Sequence, residues 1–222
     1  MSTWFEEEVG CPACGSTIVA RLALGVHAAR APEVREQLVA RTFHRVTCGA
    51  CGLSFTAQRP LVYTDTERKH WIQVAREHER PRWPELEDAT EALFERAFIG
   101  APIAHEIRRD MRLRLVFGLE ELREKIVVWN ANLDDAVVEC LKVALLAREP
   151  HLVRARTIVV DAVTSDGTLL IVVDGTELFA IAADEVERFH DDPRLPAQFP
   201  ELFGGRYVSL SRLTGPRYRP VS

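Results

Sequence analysis

Two short cysteine pairs constrain this 222-residue chain more than anything else in it: Cys11-Pro12-Ala13-Cys14-Gly15 and Cys48-Gly49-Ala50-Cys51-Gly52. Four thiolates delivered from two tight turns are the ligand set that a tetrahedral, thiophilic ion such as zinc prefers. The glycine after each second cysteine lets the backbone turn beneath the ion, so that amide N–H groups can face the sulfurs. Pro12 stiffens the first turn. One such pair would say little, but two in one chain point to a zinc-ribbon-like pair of hairpins. Cys11, Cys14, Cys48 and Cys51 are therefore the expected metal ligands, and Zn2+ the expected structural cofactor. The 33 residues between Cys14 and Cys48 exceed the spacing of a short ribbon and leave room for a helical insert. The competing uses of the motif are a dithiol redox centre and a rubredoxin-like iron site. No other redox feature accompanies the cysteines, which disfavours iron.

Paired C-x-x-C motifs with one cysteine left over, Cys140, fit a reducing compartment better than a disulfide framework. The opening Met-Ser-Thr-Trp-Phe-Glu-Glu-Glu has three acids where an export signal needs a basic and then an apolar region. No run approaches the roughly 18 apolar residues that span a bilayer. A cytoplasmic location without membrane association is the expectation. The net charge of −5 provides no global positive field for nucleic acid or anionic lipid. Only three of the 28 basic residues are lysine (Lys69, Lys125, Lys142), a bias of the kind that a GC-rich genome imposes.

Residues 1–65 read as a zinc-ribbon-like part: a strand over Thr17–Val26, a helix over Pro32–Arg41, a strand over Phe43–Thr47 and an extended run over Leu53–Tyr63. Residues 66–105 read as a helical linker or insertion. Thr64–Glu79 carries capping-box spacing at Thr64 and Glu67, and a second helix over Glu85–Phe98 stops at Gly100 and Pro102. Residues 106–150 hold a half-buried strand over Met111–Phe117 and two apolar-striped helices, Leu119–Val128 and Asp134–Ala147, with Asp134 as N-cap. Residues 151–222 turn β-rich, with Asp166-Gly167 and Asp174-Gly175 marking a three-stranded meander. A short helix over Ala183–His190 and a last strand over Arg206–Leu213 follow. The fold class expected is α+β: an N-terminal zinc-ribbon-like β module with a helical insert, central helices and a small C-terminal antiparallel sheet.

The knuckles, the run Leu61-Val-Tyr-Thr-Asp65, and the stretch from Arg112 through Glu120-Leu-Arg-Glu-Lys-Ile126 to Leu133-Asp-Asp-Ala-Val-Val-Glu-Cys-Leu-Lys142 together resemble the CpXC proteins. This bacterial family is named for two Cys-Pro-x-Cys motifs and has no assigned activity. The resemblance covers about residues 9–146 and implies that the four cysteines are the defining residues. Gly49 stands where the second proline would be.

Other clusters have plain readings. Asp134, Asp135, Glu139 and Lys142 are explained by capping and surface pairing. Asp184, Glu185, Glu187, His190, Asp191 and Asp192 have no ligand spacing and read as a solvated acidic face, with a second metal site as the alternative. His44 sits near the knuckles and Cys140 beside an apolar stripe, both as ordinary packing residues. Arg206, Tyr207, Arg212, Arg217, Tyr218 and Arg219 form a basic, aromatic C-terminal segment that reads as a mobile tail, with contact to RNA or an acidic partner as the alternative. The chain lacks G-x-x-x-x-G-K-[ST], G-x-G-x-x-G, G-x-S-x-G and H-E-x-x-H, so the common nucleotide, serine-hydrolase and zincin chemistries have no handle. The expected function is an uncharacterised zinc-binding interaction or scaffold module with an unknown protein partner; an enzyme of unknown class is left open but disfavoured. The alternatives are a nucleic-acid-binding ribbon, disfavoured by charge, and a thiol redox protein.

Overall fold

A computed structural model describes residues 2–99 and 106–214. It divides into two compact units: residues 1–79 with 84–122, and residues 80–83 with 123–222. The expected stop at Gly100 and Pro102 lies outside the described residues, as do Arg217, Tyr218 and Arg219. Helices and strands are mixed, with the cysteines clustered near the N-terminus and a three-stranded antiparallel sheet toward the C-terminus, so the α+β expectation holds.

The first unit is built on a five-stranded sheet in the order β1 (Thr3–Gly10), β2 (Thr17–His27), β5 (Leu61–Asp65), β6 (His70–Ala75), β7 (Arg112–Phe117). β1 and β2 form a long antiparallel hairpin, from Trp4↔Ala23 to Gly10↔Thr17. β2 pairs β5 in parallel only over Gly25–His27. The outer part of the hairpin therefore leaves the body of the sheet. A separate small ribbon, β3 (Arg45–Thr47) with β4 (Ser54–Thr56), carries the second cysteine pair at its turn. Between the two ribbons lies α1 (Pro32–Val39), started by Pro32 at its first turn and burying Val34 and Leu38, where proline costs no helical hydrogen bond. This is the expected insert.

The segment expected as a helix over Thr64–Glu79 is instead strand β6 within the sheet. Its neighbours are β5 on one side, antiparallel, and β7 on the other, parallel. Five of its six residues are buried, because both faces of the sheet are covered at this point. A strand buried on both faces loses the period-two alternation and imitates an apolar helix. The supposed capping box is a turn: the Asp65 carboxylate accepts the Arg68 backbone N–H at 3.1 Å, and Lys69 takes a positive φ of 60°. Asp65 itself is fully buried and held by Arg35 and Arg68. On the other face, α2 (Trp83–Ala97) sets Phe94 against Trp71 and Leu113. The Met111–Phe117 strand expectation is realised as β7.

α3 (Gly118–Asn130) follows β7 directly, its start capped by Glu121, whose carboxylate accepts the Phe117 N–H at 2.7 Å. The second unit takes over at Arg123 and continues with α4 (Asp135–Arg148), where Asp134 caps as expected by accepting the Ala136 N–H at 2.8 Å. The meander β8 (Ile158–Val163), β9 (Leu169–Val173), β10 (Glu177–Ile181) is antiparallel throughout. α5 (Ala183–His190), α6 (Leu195–Gln198) and α7 (Pro200–Gly204) follow, and α8 (Leu210–Thr214) replaces the strand expected over Arg206–Leu213. No helix among the described residues is long and apolar enough to cross a membrane.

The charges of α4 are not a surface pairing, contrary to the sequence reading. Asp135, Glu139 and Lys142 are buried together with Glu124 and Lys125 of α3. Lys142 Nζ lies 2.6 Å from Glu124 and 2.9 Å from Glu139, and Lys125 Nζ lies 3.1 Å from Asp135. The remaining valences go to backbone: Glu124 accepts the Val160 N–H at 2.6 Å, Glu139 accepts the Leu210 N–H at 2.7 Å, and Lys125 donates to the Val208 carbonyl at 2.6 Å. Burial disfavours the Lys142 charge, but the Glu124 and Glu139 carboxylates outweigh it and raise its pKa. Replacing Lys142 by Met would leave the buried Glu124 without its cation and Glu139 with only Lys125 at 3.6 Å, so Lys142→Met is expected to lose about 3–5 kcal/mol of stability. Urea unfolding of the variant beside the parent checks this, and a loss under about 1 kcal/mol would contradict it.

Candidate metal centre

The two cysteine pairs are tips of hairpins, and their turns are built alike. In the first, Cys11 N–H donates to the Ser16 carbonyl at 2.9 Å and Gly15 N–H to the Cys11 carbonyl at 2.9 Å. In the second, Cys48 N–H donates to Leu53 at 2.8 Å and Gly52 N–H to Cys48 at 2.9 Å. Gly15 and Gly52 both adopt left-handed φ, 73° and 76°, a conformation that costs a residue with a Cβ about 1–2 kcal/mol. The same turn thus forms with Pro12 in one knuckle and Gly49 in the other.

Cys11, Cys14, Cys48 and Cys51 converge so that their sulfur atoms all lie within 4.8 Å of one another. The shortest separations run between knuckles, Cys11 to Cys51 and Cys14 to Cys48, each 3.6 Å. Four thiolates around one ion at about 2.3 Å would stand about 3.8 Å apart, the edge of a regular tetrahedron. The donor set fits a metal ion. Cys11 and Cys48 are buried, whereas Cys14 and Cys51 reach the surface. Hydrogen bonds from the Ser16 hydroxyl and then its backbone hold the Cys14 thiol down to about 6. The Leu53 backbone also draws Cys51 down, but the neighbouring thiols of Cys14 and Cys11 push it up to about 12. Cys14 thus favours the thiolate and Cys51 the thiol, and a bound cation would favour the thiolate form of its ligands.

Behind the knuckles the ribbons share a small core of Ala20, Leu22 and Ala57, flanked by Val9 and Val46. His44 ties them further, and sequence reasoning missed this role. It sits just before β3 with a φ of 57°, stacks on Phe43 with centroids 4.0 Å apart, and its Nε2 accepts the buried Ala23 N–H at 2.8 Å. Only neutral imidazole can accept there. No sequence signal marks it, because its partner is a backbone group. Cys140, in contrast, is buried with Ala136, Val137, Leu195 and Leu202 as the small core residue expected.

The other sequence candidates do not assemble into a site. Among the described residues the four cysteines form the group of three or more His, Cys, Asp and Glu side chains that could share a metal. Asp192 pairs with Arg194 and Glu185 with Arg148 at the surface, so the acidic stretch is a solvated face. Of the C-terminal basic segment, Tyr207 is buried and accepts from Arg80 at 2.8 Å, while Arg212 lies 4.3 Å over the Trp83 ring. These two residues are part of the packed unit and not of a free tail.

Matched knuckles that gather four thiols from separate hairpins define a four-cysteine ribbon-type protein. The chain belongs to the CpXC family, whose model, described as CpXC protein, matches residues 9–142. No curated protein and no solved structure matches the chain.

Two outcomes are expected here. A Cβ at Gly49 meets nothing within 4 Å and its φ is not left-handed, so Gly49→Pro should keep the metal stoichiometry and add about 0.4–1 kcal/mol of stability, read by thermal unfolding. Burial pushes His44 from 6.5 to about 4. A depressed folded-state value means that the unfolded chain binds the extra proton first. The stability His44 contributes is then complete above pH 6.5 and lost as pH falls toward 4. His44→Phe, which leaves the Ala23 N–H without its acceptor, should cost about 1–3 kcal/mol at pH 7. The gap to the parent should narrow between pH 6.5 and 4; parallel stability curves would contradict the assignment.

Proposed function

We propose that this protein is a cytoplasmic zinc-binding scaffold, in which Cys11, Cys14, Cys48 and Cys51 hold one structural zinc ion and the ribbons so joined present a surface to a partner protein. The observation that carries the reading is the identity of the two knuckles in hydrogen bonding, with four sulfurs within 4.8 Å of one another. Zinc is favoured over other ions because four thiolates suit its softness and geometry, and its binding would contribute folding energy directly. Four protein ligands leave no position for a substrate water, which supports a structural role over a catalytic one. Nucleic acid is disfavoured as the partner, since Glu6, Glu7 and Glu8 lead into the first knuckle and would repel phosphates.

Elemental analysis of the purified chain should give one zinc per molecule. Cys11→Ser and Cys48→Ser should each lose the metal and lower the unfolding temperature of the first unit, and a chelator should do the same to the parent. Metal-free protein with a reversible disulfide among the four cysteines would overturn the proposal in favour of thiol redox chemistry. A visible thiolate-to-iron absorption would replace zinc with iron.

A further inference from the structure

The reading as an interaction module leaves open which surface is used and for what. β1 is the edge strand of the five-stranded sheet, eight residues long, and among the described residues β2 is the strand that pairs with it. The Cys11 N–H to Ser16 carbonyl bond lies in the same register as the ladder from Gly10↔Thr17 to Trp4↔Ala23. Antiparallel alternation then turns the main-chain groups of Phe5, Glu7 and Val9 toward β2, and those of Glu6 and Glu8 outward. An open row of donors and acceptors of this length is a template for strand addition, which proteins ordinarily blunt with proline, lysine or a bulge. Within β1 there is no proline, and its one irregularity falls at the far end, between Thr3 and Trp4.

The side chains specify the occupant. Glu6 and Glu8 stand on one face, exposed, and neither has an ion-pair partner among the described residues. Glu7, on the other face, is paired with Arg59. Phe5 stands on that face too and is 48% exposed. A second copy of β1 is a poor occupant, because its glutamates would face these across the ladder. The two free carboxylates, two residues apart, are about 6.6–6.8 Å apart along the strand, the spacing of alternate side chains in an extended partner. We propose that the free edge of β1 captures an extended, basic segment of a partner protein as an additional strand. Lysine or arginine at alternate positions would face Glu6 and Glu8, and an apolar residue on the opposite face would cover Phe5. The inference rests on the interaction reading above. The cysteine cluster at the tip of the hairpin and the β2–β5 pairing at its base hold the template rigid, which reduces the ordering cost of binding.

The test is fluorescence anisotropy with zinc-loaded full-length protein and a labelled decapeptide alternating lysine with valine. Binding is expected, at least tenfold stronger than for a peptide of the same composition with its lysines in one block. The double variant Glu6→Lys/Glu8→Lys should weaken it at least tenfold. Glu6→Pro, which removes an outward N–H and spares the β1–β2 ladder, should do the same, while Glu187→Lys in the second unit should not. Zinc content and circular dichroism verify that each variant folds. No binding, equal affinity for the block peptide, or an unchanged Glu6→Pro variant would overturn the assignment, as would a dimer formed through β1 in sedimentation. A partner cross-linked equally by the parent and the Glu6→Lys/Glu8→Lys variant would overturn the edge alone and leave the interaction reading standing. No partner captured by the zinc-loaded parent would overturn both.

Discussion

Four thiols brought within 4.8 Å of one another are a demand as well as a feature. Cys14 is drawn toward the thiolate by Ser16, while Cys51 is held protonated by the sulfurs beside it. Hydrogen bonds from the Cys11 and Cys51 side chains also lower the pKa of Cys14, so Cys14 favours the thiolate while Cys51 favours the thiol. A bound dication would favour four thiolates, because each would then face positive charge at closer range than it faces its neighbours. On the proposed reading the ribbons draw stability from that ion. Their common core is small, made of Ala20, Leu22, Ala57, Val9 and Val46, and is joined by Trp4 packed edge-on against Phe43 and His44; a modest apolar surface of this kind gains from a further constraint. The His44 bond to Ala23 and the Glu7–Arg59 pair are the auxiliary ties.

The second unit solves its packing differently. Its central helices bring six charged side chains, Arg123, Glu124, Lys125, Asp135, Glu139 and Lys142, into the interior. An apolar set of similar volume would serve stability as well or better, since desolvating ions costs about what their attraction returns. What the charges add is direction. Glu124 selects the Val160 amide of the sheet, while Glu139 and Lys125 select the amide of Leu210 and the carbonyl of Val208 in the C-terminal segment. A shifted helix or an undocked segment would leave at least one ion unpaired. The network therefore fixes one arrangement of helix, sheet and C-terminal segment among several that apolar contacts alone would tolerate.

This contrast explains what could be read from the chain alone. The cysteine pairs, their glycines, the Asp134 cap, the insert helix and the Asp-Gly meander are local devices, each encoded within a few residues, and all were legible. β6 was misread because burial on both faces erased its alternation. Its identity as a strand comes from β5 and β7, the latter some forty residues further along the chain. The same limit hid the buried charges: Asp135, Glu139 and Lys142 look like a surface helix until Glu124 and Lys125 are placed opposite. His44 was invisible as a connector because its partner is a main-chain N–H, which no residue type announces. The final strand expected over Arg206–Leu213 failed because Tyr207 and Val208 are buried against helices and paired by side chains instead of by a ladder.

The hairpin that carries the first knuckle combines a local and a non-local device, and this is why it stands apart. Only three of the eleven residues of β2 pair with the body of the sheet, so the outer hairpin is held at its tip by the cysteines and along one face by the second ribbon. A two-stranded ribbon with such limited support would ordinarily be marginal in water. Its length is unnecessary for bringing four thiols together, since a ribbon of a few residues per strand reaches far enough. Extra length on an edge strand with exposed glutamates adds exposed backbone and displayed charge, offset only in part by Arg21 across from Glu6, and both invite misassociation. On the proposed reading, a metal at the tip would offset that cost by fixing the strand from its far end, leaving the free edge extended and its charges displayed at a constant spacing.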